Sequence, residues 1–125
     1  MKRYDAMRTP GPERWLALDE QERIALVAAY HRRTRVKLPN LQLHAAFHVV
    51  VENQLAEGTS GVHEALERLM GAGLDRHDAI HAIGSVVTRC LWEAMNRRRR
   101  PADVAGDYLR RLKRLTAKAW LKGAG

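Results

Sequence analysis

The chain is punctuated for helices and for nothing else. Between its glycine and proline breaks, apolar residues recur at three- and four-residue intervals, and no stretch alternates apolar and polar residues as a half-buried strand would. The expected fold is therefore all-α, a small bundle of about five helices. A first helix should begin near Asp19, where Asp19-x-x-Glu22 has capping-box spacing. It carries Ile24, Val27, Ala28 and His31 on one face and runs into the basic segment Arg32-Arg33-Thr34-Arg35. Pro39-Asn40 supplies a break and an N-cap for a second helix over about 41–57, stopped by Gly58. A short third helix follows Thr59-Ser60-Gly61, with Val62, Leu66 and Leu69 turned inward, and ends at Gly71-Ala72-Gly73. Asp75 caps the fourth, with Asp78 at its third position, and that helix should reach about Met95. Arg97–Arg100 and Pro101 form a hinge to a fifth, from Ala102 to about Leu121, on which Val104, Tyr108, Leu112, Leu115 and Ala119 make one stripe.

The second and fourth helices, the long central pair, carry the chemistry. His44-x3-His48-x3-Glu52 lies on one and His77-x3-His81 on the other. Residues four apart on a helix share a face, with Cβ atoms roughly 5–6 Å apart, so each pair can close on one metal ion. Six histidines placed at random in a chain of this length would give roughly 0.2 such pairs; two are present. Leu41, Val51 and Leu55 fall on the same side as His44, His48 and Glu52, which puts these polar groups inside an apolar stripe. If the two helices pack side by side, their histidines face each other. His44 and Glu52 are separated by about 12 Å along the axis. The stripe therefore fits either one site centred on His48, His77 and His81, or a di-metal site using Glu52 or His44 as the outer ligand. Imidazole and carboxylate donors suit a transition metal, iron or zinc first. Gly84, one turn past His81, leaves room for a backbone or a ligand to approach.

A plainer reading competes with this one. The histidines can be core residues hydrogen-bonded to Asn53, Gln54, Ser85 or one another, and Glu52 can be the salt-bridge partner of Arg76 with equal weight. His31 and His63, outside the paired motifs, are expected at the surface or rim. Cys90 reads as a small core residue.

Two resemblances rest on these motifs. His48-x3-Glu52 followed by His77-x3-His81 is similar to the second and third helices of hemerythrins, which implies a metal-binding four-helix bundle; this chain has no histidine after His81 and lacks the His-x4-Asp of the hemerythrin last helix. More extensively, residues 40–110 resemble a family of short, uncharacterised bacterial helical proteins. Such proteins have His-x3-His, an acid-and-Gln segment, a second His-x3-His, and Leu-Trp-Glu before a basic hinge. Here these are His44, His48, Glu52-Asn53-Gln54, His77, His81 and Leu91-Trp92-Glu93. The resemblance favours the metal reading and implies no particular reaction.

Charge divides the chain. Residues 1–95 balance 12 Lys and Arg against 12 Asp and Glu, and the net +8 belongs entirely to residues 96–125. One domain is expected: a loose arm at 1–12 broken by Pro10, Gly11 and Pro12, a neutral helical body at 13–95, and a basic hinge and helix at 96–125. Arg97, Arg98, Arg99, Arg100, Arg110, Arg111, Arg114 and Lys118 form a cationic face suited to the phosphates of nucleic acid, without sequence specificity. An anionic membrane surface, docking on a protein partner, or plain solvation are the alternatives for that face. The single cysteine excludes an internal disulfide framework, the first 15 residues have no apolar signal region, and no run is long enough to span a membrane. A cytoplasmic protein is expected.

Overall fold

The computed structural model describes residues 1–34 and 40–123, and among these it is all-helical. Seven helices follow in order: α1 (Pro12–Ala17), α2 (Glu20–Arg33), α3 (Leu41–Glu57), α4 (Val62–Gly71), α5 (Arg76–Arg97), α6 (Pro101–Arg114) and α7 (Ala117–Gly123). The expected role of Pro39 as a breaker, and Arg35 of the basic run, lie outside the described residues.

Local chemistry sets most of these boundaries. The Asp19 carboxylate accepts from the Glu22 amide while the Glu22 carboxylate accepts from the Asp19 amide, closing the capping box of α2. Asn40 and Asp75 cap α3 and α5 through their side chains. Gly58, at φ +71°, ends α3 in the left-handed conformation that a glycine adopts without a steric penalty.

The helix count departs from the expected five for two reasons. Pro12 starts a short additional helix whose Trp15 is fully buried. At the other end, Leu115 is extended and Thr116 Oγ1 accepts from the Ala119 amide, so one helix stops and another is capped within two residues.

α3 and α5, at 17 and 22 residues, are the longest elements and pack against each other. α2 and α1 cover one side of α3, while α4 and α6 lie on α5. Two apolar clusters result. One joins Val51 of α3 to Leu66, Leu69, Ile80, Ile83, Val87 and Leu112. The other gathers Tyr4, Ala6, Trp15, Val27, Ala28, Ala45 and Val49.

Residues 1–12 do not behave as a loose arm in this structure. Tyr4 and Ala6 are fully buried, Arg33 donates to the Tyr4 carbonyl at 2.7 Å, and Arg76 donates to the Ala6 carbonyl at 3.0 Å. The aromatic ring of Tyr4 packs against Trp15 and Tyr30, which supplies the anchoring energy that a polar, proline-broken segment lacks. No helix of the described residues is long and apolar enough to cross a membrane.

Candidate metal centre

Five imidazoles meet where α2, α3 and α5 come together: His31 from α2, His44 and His48 from α3, His77 and His81 from α5. Four of them, His31, His44, His48 and His81, each offer a ring nitrogen within 4.8 Å of the other three, a group that can hold a metal ion. The ligand atoms of a tetrahedral zinc site with Zn–N bonds of about 2.0–2.1 Å are about 3.3 Å apart. His77 stands at the edge of the group, its Nε2 3.3 Å from Nε2 of His31 and its ring 4.1 Å from that of His81.

The tautomers of two of these rings follow from their partners. A carbonyl oxygen can only accept, so the 2.8 Å contact between His31 Nδ1 and the Val27 carbonyl puts the proton on Nδ1 and leaves the Nε2 lone pair facing the cluster. On the other side of the cluster, the Arg76 guanidinium binds both carboxylate oxygens of Glu52, at 2.7 and 2.8 Å. The Tyr4 hydroxyl donates to the same carboxylate, and the Tyr4 oxygen lies 2.9 Å from His48 Nε2. With its own proton committed to Glu52, the Tyr4 oxygen accepts from His48 Nε2–H. His48 Nδ1 then carries a lone pair, and it is buried without a hydrogen-bond partner. Leaving such a group unsatisfied costs about 1–3 kcal/mol. Metal-binding histidines characteristically donate their second ring proton to an outer acceptor that fixes their orientation. Val27 does this for His31, and the Tyr4–Glu52–Arg76 chain does it for His48. Between His44 and His81 the Nε2 atoms are 2.9 Å apart, so one donates to the other.

The cluster is held neutral. Burial, reinforced by repulsion from neighbouring imidazoles, lowers His44 to about 4 and His81 to about 3. Burial likewise lowers His31 and His77, and takes His48 well below its ordinary value, with His81, His31, His77 and His44 each adding to the effect. Unprotonated rings at neutral pH are the form that ligates a metal.

The structure treats the candidate residues of the sequence unequally. His44, His48 and His81 converge, with His77 beside them. Glu52 is 2% exposed, both of its oxygens are engaged by Arg76 and Tyr4, and it is not among the four converging residues. His31, expected at the surface or rim, is fully buried and belongs to the converging set. Its position four residues after Val27 on the apolar face of α2 was the available signal. His63 is exposed and pairs with Glu67 at 3.0 Å, and buried Cys90 lies against Arg111. Of the partners a structural reading offers, the histidines take one another, His44 with His81 and His31 with His77, while Asn53, Gln54 and Ser85 bond elsewhere. Asn53 accepts from Trp15 and Arg23, Gln54 accepts from Tyr108, and Ser85 donates to the Ala82 carbonyl.

Beside the histidines, a cavity of about 240 Å³ is bordered by His44, His48 and His81, with Phe47, Ile80 and Trp120 as apolar walls. The basic C-terminal face is partly neutralised. Arg99 and Arg110 pair with Asp107, Arg100 with Asp103, and Arg111 with Glu93. Arg97, Arg98, Arg114 and Lys118 have no carboxylate partner among the described residues.

No curated protein and no solved structure matches the chain. The model of a domain of unknown function, DUF1841, matches residues 7–114, which include every residue of the histidine cluster. The chain therefore belongs to the DUF1841 family, a family whose description names no activity.

Proposed function

We propose that this protein binds a transition metal ion, zinc or iron first, through His31, His44, His48 and His81, with His77 as an alternative or additional ligand. The observation that carries this reading is the approach of four imidazole nitrogens from three helices to within 4.8 Å of one another. Three further features support it. The rings are held neutral by burial, His48 Nδ1 has no hydrogen-bond partner, and Asn53, Gln54 and Ser85 bond elsewhere. An all-nitrogen donor set favours zinc, iron, copper or nickel over magnesium or calcium, which prefer oxygen. Glu52 contributes as an orienting carboxylate behind His48 rather than as a ligand.

The test is elemental analysis of untagged, full-length protein after reconstitution with Zn, Fe, Cu or Ni and removal of loose metal. About one ion per chain is expected, retained in His63→Ala and lost in a His48→Ala/His81→Ala variant. Failure to retain any of the four metals would contradict the reading.

An interaction of the basic tail with nucleic acid would be carried by Arg97, Arg98, Arg114 and Lys118, since the other four arginines of that face have carboxylate partners. Surface pairs of this kind reduce the local field available to a phosphate backbone.

A further inference from the structure

A metal-binding role alone gives no purpose to the cavity beside the histidines. Its polar end is made by His44, His48 and His81, three of the four converging residues, and His44 and His81 are only half-buried because they face it. Phe47, Ile80 and Trp120 form its apolar walls, and no Asp, Glu, Lys or Arg lines it. Ser85 and Thr88 complete it. Their hydroxyl protons are committed to the carbonyls of Ala82 and Gly84, at 2.7 and 2.9 Å, so these oxygens are left with acceptor capacity.

Size and polarity narrow the occupant. A water molecule occupies about 30 Å³ in the liquid, so about 240 Å³ is several times what water or a diatomic gas requires. It is smaller than the roughly 300–1,000 Å³ of pockets for drug-sized ligands. At interior packing density it accommodates about ten non-hydrogen atoms. Two aromatic side chains in the walls favour a flat body packed against them.

We propose that the cavity binds a small, flat ring molecule whose nitrogen or oxygen lone pair adds as a further ligand to the ion held by His31, His44, His48 and His81. The inference rests on the metal reading above, to which it adds the class of ligand. An N–H or O–H group on such a molecule would find acceptors in Ser85 and Thr88. Trp120, on the short last helix beyond the Leu115–Thr116 break, closes the side of the cavity without belonging to the histidine cluster.

The experiment uses full-length protein loaded with Co²⁺, whose visible absorption reports its coordination, and benzimidazole as the probe ligand. Uptake of Co²⁺ is followed first. A saturable change in the cobalt bands on adding benzimidazole is expected. Trp120→Ala should weaken benzimidazole by about tenfold with unchanged Co²⁺ uptake. Cobalt uptake with no spectral response to benzimidazole would overturn the ligand proposal and leave the metal reading standing. Undiminished binding by Trp120→Ala would equally overturn it. Failure to take up cobalt would overturn the metal reading itself, and the ligand proposal with it.

Discussion

At the scale of single residues, the decisive contacts are those that fix which nitrogen of each histidine carries a proton. Tyr4 joins the Glu52–Arg76 ion pair to His48. In Tyr4→Phe the ring remains to pack on Trp15 and Tyr30, but His48 loses its outer partner. Outer-shell changes of this kind cost about 10–100-fold in metal affinity, so competitive chelator titration should find a loss in that range, with a stability loss of about 1–2 kcal/mol by urea unfolding. Unchanged affinity would show that the hydroxyl does not orient His48. Glu52→Gln behaves differently, because it leaves the 2% exposed Arg76 charged and without its counter-ion. Breaking one side of a buried pair costs about 3–5 kcal/mol, a difference that urea midpoints would resolve. Sequence spacing identified Glu52 as in phase with the histidines but left ligand and salt bridge open. The choice depended on Arg76 reaching it across 24 positions and on Tyr4 arriving from the N-terminal segment, neither of which helical periodicity records. His31 illustrates the same limit. Its face was legible, yet its burial follows from how α2 lies on α3.

At the scale of elements, caps and glycines located the helix ends well where a side chain does the capping. Asn40, Asp75 and the Asp19–Glu22 box act over three residues, and such local chemistry is readable in sequence. The stop between α6 and α7 was harder to read. The apolar stripe from Val104 to Ala119 continues in helical phase through it, and the Thr116 cap competes with an otherwise unbroken pattern. α1 escaped notice because six residues hold less than two turns of periodicity, and its burial depends on Trp15 finding Asn53. Gly84, in the middle of α5, has a clear consequence. A Cβ placed there would meet only Val51 Cγ2, at 3.9 Å, an ordinary contact. Packing therefore does not require glycine, and Gly84→Ala should stabilise the protein by up to about 1 kcal/mol through helix propensity. Thermal unfolding of the variant checks this; destabilisation would mean that the Cβ displaces Val51 or narrows the adjoining cavity.

At the scale of the whole molecule, a neutral five-histidine cluster in the centre of a helical protein makes its stability depend on pH. All five rings are depressed from the ordinary value of 6.5, with His44 near 4 and His81 near 3. As pH falls through about 6.5 the unfolded chain takes up protons that the folded one resists, so stability declines. The decline due to His44 and His81 continues until their folded values of about 4 and 3 are passed. Urea midpoints of metal-free protein should therefore fall between pH 7 and pH 4.5, and replacing His81 by Gln should flatten the dependence. A bound ion adds stability at neutral pH by mass action and loses it over the same acid range, as protons compete for the rings. The basic tail pairs with its own Asp103 and Asp107 and with Glu93 of α5, and its Trp120 borders the cavity beside the histidines. The claim that unites the three scales is that imidazoles from α2, α3 and α5 share one ion. X-ray absorption of zinc-reconstituted, untagged protein tests it most directly. The expected result is a first shell dominated by nitrogen at about 2.0–2.1 Å, with the outer scattering of at least three imidazole rings. A shell dominated by oxygen, or by fewer than two imidazoles, would contradict it.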